Sequence, residues 1–153
     1  MIVSRTPLRI SFVGGGSDLK EFYEKERGSV ISTSINKYIY LSMHTLFDKN
    51  KSFLKYSESE YVENIKDIKH KIIKQIFLNY NIHGVDFNSS ADIPSGTGLG
   101  SSSAFTSGLI KLCLHYLNLK KSNYWIAEEA CKVEIDQLKE PIGKQDQYAC
   151  CVV

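Results

Sequence analysis

A chain of 153 residues is long enough for one domain with its own hydrophobic core. Its 42% hydrophobic and 24% charged content is that of an ordinary globular protein, and a net charge of +2 gives no reason to invoke nucleic acid or an anionic membrane as partner. No apolar run is long enough to cross a bilayer, and the N-terminal MIVSRTPLRISF lacks the basic-then-apolar order of a secretion signal.

In chain order, residues 2–13 read as a strand that ends at Gly14-Gly15-Gly16. Ser17 or Asp18 is then placed to cap a short helix that stops at Gly28. Residues 29–47 are rich in β-branched and aromatic side chains and predict one or two strands, and KSFLKYS adds another. Ile65, Ile68, Ile72, Ile73, Ile76, Phe77 and Tyr80 recur at helical spacing, which predicts an amphipathic helix over 64–80. Residues 84–93 read as a strand leading into PSGTGLGSSSAF. Phe105, Leu109, Leu112, Cys113, Tyr116 and Leu117 give a second helix, and 123–139 a third. Strands crowd the first third and helices the rest, so the fold class is α+β, with no repeat or linker to divide the chain.

The four cysteines, Cys113, Cys131, Cys150 and Cys151, form no CxxC pair and have no histidine at metal-ligand spacing. They read as reduced core thiols of a cytosolic protein.

The loop at 94–105 has glycine at 96, 98 and 100, then three serines where a helix starts. Glycine lets a backbone approach an anion closely, and the free N–H groups of a helix start attract negative charge. A phosphate cradle is one reading; a glycine-rich turn with a serine-capped helix is the other. A P-loop is excluded because no lysine lies between 94 and 110, and the dinucleotide fingerprint is excluded because the spacing is GxGxG.

Four charged positions stand out. Glu134 shares a helical face with Ala130 and Leu138, so it is either a snorkelling edge residue or a carboxylate paired inside. Asp146 follows the breakers Pro141 and Gly143, at what reads as the first turn of a new helix; helix-start chemistry explains it, and so does a proton acceptor with the charge of Lys144 nearby. Arg5 and Arg9 fall on one face of a strand expected to be buried, where each needs an anion, whether a salt-bridge partner or a ligand.

PLRISFVGGGSDL, PSGTGLGSSSAF and VEIDQLKEPIGKQDQYA, in this order, resemble the N-terminal half of the GHMP-superfamily small-molecule kinases. The second stretch fits the superfamily signature Pro-x-x-x-Gly-Leu-Gly-Ser-Ser, and the wording of the second and third is most similar to bacterial D-glycero-D-manno-heptose 7-phosphate kinases. The resemblance runs to about Ala149. It implies the α+β fold shared with the second domain of ribosomal protein S5. It implies ATP and Mg2+ as cofactors, a sugar phosphate as partner, and a heptose 1,7-bisphosphate made by phosphorylating the anomeric hydroxyl. By the same resemblance Pro94, Gly96, Thr97, Gly98, Leu99, Gly100, Ser101 and Ser102 would bind ATP, and Ser101 with Glu134 would hold the metal. Asp146 would be the catalytic base, twelve residues after Glu134, with Arg9 beside it. Asp18, Gly15, Gly16 and Lys144 would bind substrate, with Arg5, Lys37 and Lys144 as candidate cations for the 7-phosphate.

The superfamily has a second half with its own glycine motif, whereas this sequence ends at YACCVV, inside the helix expected to carry Asp146. Residues 1–153 are therefore expected to be the ATP-binding domain without the C-terminal domain. The alternatives are an inactive fragment that binds nucleotide or self-associates into a homo-oligomer, and a kinase for another sugar.

Overall fold

The computed structural model describes residues 1–152; Val153, part of the expected apolar terminus, lies outside them. Inward Ser4, Thr6 and Leu8 alternate with outward neighbours and build β1 (Ile2–Val13). After the glycine turn comes a single helical turn, α1 (Lys20–Tyr23), and then one uninterrupted strand, β2 (Ile31–Thr45). β3 (Ser52–Lys55), β4 (Ser59–Val62), α2 (Lys71–Tyr80) and β5 (Val85–Ala91) follow. The helical half holds α3 (Ser101–Tyr116), α4 (Asn123–Cys131), a π-helical segment (Lys132–Gln137) and α5 (Gln145–Cys151).

The strands form one sheet in the order β1-β2-β5-β3-β4, in which only the β3–β5 pair is parallel among the described residues. Leu41, Met43, Leu54 and Phe87 face Ile73, Ile76 and Phe77 of α2 and Leu109, Ile110 and Leu112 of α3 in one core. Phe77 and Phe87 meet edge to face at 6.1 Å. No described helix is long and apolar enough to cross a membrane. All four cysteines are free thiols, and Cys113, Cys131 and Cys150 are buried.

Several elements depart from expectation for identifiable reasons. Neither Ser17 nor Asp18 caps α1, whose N-cap is Leu19 with no side-chain bond. The Ser17 hydroxyl instead donates to the Gly14 and Ser29 carbonyls, and Asp18 accepts from Gly16 N–H at 3.0 Å. The stretch 64–80 is not one helix. Asn64 captures the Lys66 N–H and caps a 3-10 turn, Ile68 is extended, and α2 starts only after His70 accepts from Ile73 N–H. Ile68 is buried all the same, so the apolar stripe survives while the helix breaks. The third expected helix ends in the π segment, where Leu138 N–H reaches back five residues to the Val133 carbonyl at 2.9 Å.

Candidate active site

β1 delivers the first charged group. Its ladder with β2 steps from Pro7↔Tyr38 to Arg9↔Ser34, an irregularity that lets Leu8 and Arg9 both turn inward. Arg5 and Arg9 therefore do not share a face. Arg5 is exposed and lies over the Tyr38 ring at 4.6 Å, whereas Arg9 is 9% exposed.

Arg9 finds its anion in Asp146. Nε donates to Oδ1 and Nη2 to Oδ2, both at 2.7 Å, a two-pronged clamp that fixes the carboxylate plane. The remaining prong, Nη1, donates to the Gly98 carbonyl at 2.7 Å, and Arg9 N–H donates to the Leu99 carbonyl at 3.1 Å. One residue thus ties the glycine loop to the start of α5. Lys144 is not the cation on Asp146: its ammonium lies 4.8 Å from the centre of the Tyr23 ring and borders a separate hollow with Trp125 and Asp136.

Gly96, Gly98 and Gly100 all have positive φ, of 80°, 72° and 72°. Side chains at Gly96 or Gly98 would stand in open space, so glycine is needed there for the backbone turn itself. A Cβ on Gly100 would lie 3.2 Å from Arg9 Cγ and 3.4 Å from Asp146 Oδ2, which puts the end of the loop against the clamp. Gly100 is also the N-cap of α3, with no side-chain bond. The serines do not cap the helix, and its first N–H groups have no partner within it.

Two of those serines bond Glu134, which has no solvent exposure. Ser102 Oγ donates to Oε1 and Ser103 Oγ to Oε2, each at 2.9 Å, and Gln147 Nε2 donates to Oε2 at 2.6 Å. Glu134 is paired inside rather than snorkelling. Ser101 is not among its partners; it borders the cleft beside the loop.

Two hollows flank the loop and the clamp. The larger, about 470 Å³, has Gly96, Ser101 and Ser102 on one side and Tyr56, His70 and Phe105 on another. His70 stacks on Phe105 at 5.2 Å and meets Tyr56 edge-on at 4.8 Å, giving an aromatic wall fit for a flat ring. Burial lowers the His70 pKa, partly offset by the charge of Glu60. The smaller hollow, about 190 Å³, brings Gly16, Asp18, Gly143 and Gln145 to Asp146. Asp18 Oδ2 accepts from Gln145 N–H at 3.2 Å, and Ser11 Oγ donates to Gln145 Oε1 at 2.7 Å. Gly15 faces the Gln145 amide, 3.8 Å from where its Cβ would stand. Neither Arg5, Lys37 nor Lys144 borders this hollow.

Sequence reasoning missed His70, Tyr56, Ser103, Gln145 and Gln147. Spacing carries no signal for the first two, which meet only through the tertiary fold. Ser103 and Gln147 lie inside quoted motifs and could have been found as polar residues on inward positions beside Glu134.

Residues 61–152 match the family described as GHMP kinases N terminal domain. The chain is 33% identical to D-glycero-alpha-D-manno-heptose 7-phosphate kinase of Campylobacter jejuni, over 97% of this chain and 47% of that protein. It is 25% identical to galactokinase of Pyrococcus furiosus, over 97% of this chain and 43% of that protein. The crystal structure of a D-glycero-D-manno-heptose 1-phosphate kinase from Bacteroides thetaiotaomicron superposes with a TM-score of 0.87 at 23% identity, over 99% of this chain and 53% of that one, which shows the shared fold. The chain spans about half the length of the curated relatives it matches.

Proposed function

The chain belongs to the GHMP kinases, and on that premise we propose that residues 1–153 are the nucleotide-binding domain of an ATP-dependent kinase acting on D-glycero-D-manno-heptose 7-phosphate in the cytoplasm. The acceptor is the anomeric hydroxyl and the product is heptose 1,7-bisphosphate. The observation that carries this reading is the Arg9–Asp146 clamp, which sets the end of the glycine loop at Gly100 against the carboxylate that borders the smaller hollow.

In this reading the free N–H groups of 96–101 hold the ATP phosphates, and the base lies against the aromatic wall of His70 and Phe105. Asp146 accepts the proton of the attacking hydroxyl, and the guanidinium of Arg9 stabilises negative charge as the phosphoryl group moves. Asp18, with Gly15 and Gly16, orients the sugar hydroxyls. Glu134 with the hydroxyls of Ser101 and Ser102 is a hard-oxygen set of the kind Mg2+ accepts beside nucleotide phosphates. When bound there, the ion neutralises phosphate charge.

The test offers the chain Mg·ATP with heptose 7-phosphate, mannose 6-phosphate, galactose and homoserine in parallel. Phosphate transfer to the heptose phosphate, well above the other acceptors, is the expected result. Transfer to another acceptor alone would change the substrate assignment. ATP binding without transfer to any of them would reduce the chain to a nucleotide-binding fragment.

A further inference from the structure

Gln147 follows Asp146 in the first turn of α5 and has no solvent exposure. A wholly buried amide has to be bonded to be tolerated, and its Nε2 donates to Glu134 Oε2 at 2.6 Å. Its other atom, Oε1, has no partner among the described residues. The amide cannot be turned around, because that would set its oxygen against the carboxylate.

The two Glu134 oxygens are consequently unequal. Oε2 takes donors from Gln147 and Ser103, both buried. Oε1 takes one donor, from Ser102, which is exposed at the start of α3 beside the glycine loop. A carboxylate otherwise turns freely about its terminal torsion. We propose that Gln147 is a positioning residue that, with Ser103, pins Oε2 so that Oε1 is presented toward the loop for the divalent cation that accompanies the nucleotide; this rests on the metal role given to Glu134 above.

The chemistry of the pin fits the task. A lysine or arginine would fix Oε2 equally well but would neutralise Glu134 and repel the incoming cation. A neutral amide orients the carboxylate and leaves its charge available. The unpaired Oε1 of Gln147 argues the same way. A residue present only to fill space would carry no such desolvation cost, and methionine would occupy a similar volume without it.

The experiment is calorimetric titration of the chain with ATP, with and without Mg2+, for wild type, Gln147→Met and Ser103→Ala. Circular dichroism checks the fold of each. In wild type Mg2+ should strengthen ATP binding. In Gln147→Met the affinity for metal-free ATP should hold while the gain from Mg2+ falls roughly tenfold or more, the usual effect of losing a residue that orients a metal ligand. An undiminished gain would overturn the proposal. So would an equal loss with and without metal, which marks a purely structural role. Should Gln147→Met fail to fold, Ser103→Ala removes the other pin and must show the same split. A wild type whose ATP affinity ignores Mg2+ would instead sink the metal role of Glu134, and this proposal with it.

Discussion

Arg9 has three jobs in one residue: its side chain clamps Asp146 and anchors the Gly98 carbonyl, and its backbone N–H holds the Leu99 carbonyl. The two residues lie 137 positions apart, so spacing alone could not pair them, and only the family resemblance put Arg9 beside Asp146. What the sequence did offer was an arginine on a strand in need of an anion, and an acid at a helix start in need of a cation. Spacing assigned that cation to Lys144, the nearer in sequence, because backbone proximity says nothing about where a long side chain ends. The roles separate in variants. Asp146→Asn keeps an acceptor for Arg9 but cannot take a proton, so phosphoryl transfer should fall by roughly 10²–10⁴ while ATP binding persists. Arg9→Met strips Asp146 of its partner and frees Gly98. It should cost about 2 kcal/mol of stability, the scale of hydrogen bonds to a charged group that is mostly but not wholly buried, and should weaken ATP binding as well. Urea denaturation and nucleotide titration read the two effects. Equal ATP affinity in both variants would mean that the anchor on Gly98 has no influence on the loop.

At the scale of elements, periodicity read well where the buried positions were apolar, as with Ile39, Leu41 and Met43 of β2. It failed where a polar group was bonded inside. β4 was invisible because its one buried position is Glu60, which accepts from Tyr56 hydroxyl at 2.6 Å and from Lys69 N–H at 2.8 Å. The start of α2 was misplaced by the side-chain bonds of Asn64 and His70. That second cap carries a pH dependence. Burial between Tyr56 and Phe105 lowers the His70 pKa, against a smaller opposing pull from the Glu60 charge. The unfolded chain takes up this proton near pH 6.5, so below that value the unfolded state binds more protons and stability falls. Protonation also competes with the Ile73 N–H for Nδ1, the cap acceptor. His70→Asn keeps a capping acceptor without a titrating ring, and should flatten the fall of the urea midpoint between about pH 7 and 5. Burial pushes the Glu60 carboxyl up, but the bonds from Tyr56, Lys69 and His70 outweigh it and leave it lowered, so its contribution is lost only at more acid pH. An unchanged curve in the variant would mean that His70 does not govern the neutral range.

For the molecule as a whole, α+β was legible from the order of the patterns, but the sheet order was not. β5 enters between β2 and β3, and no local pattern encodes a choice between distant partners. The outcome is a core in which the sheet residue Phe87, Cys113 of α3 and Cys150 of α5 belong to one buried cluster. The thiols make that continuity measurable. Burial pushes Cys150 up to about 12 and Cys113 further, so at pH 8 neither offers the thiolate that reacts with a labelling reagent. Each becomes reactive only when the fold opens around it. Phe87→Ala removes a fully buried ring and should cost about 3–5 kcal/mol, a large share of the stability of a domain this size. If sheet and helices open as one unit, labelling of Cys113 and Cys150 in that variant should accelerate together, by roughly 10²–10⁴-fold. Acceleration at Cys113 alone would show that α5, with Asp146 and Gln147 on it, keeps its place while the sheet side opens, and the clamp from Arg9 would then be the tie holding the two parts of the site in register.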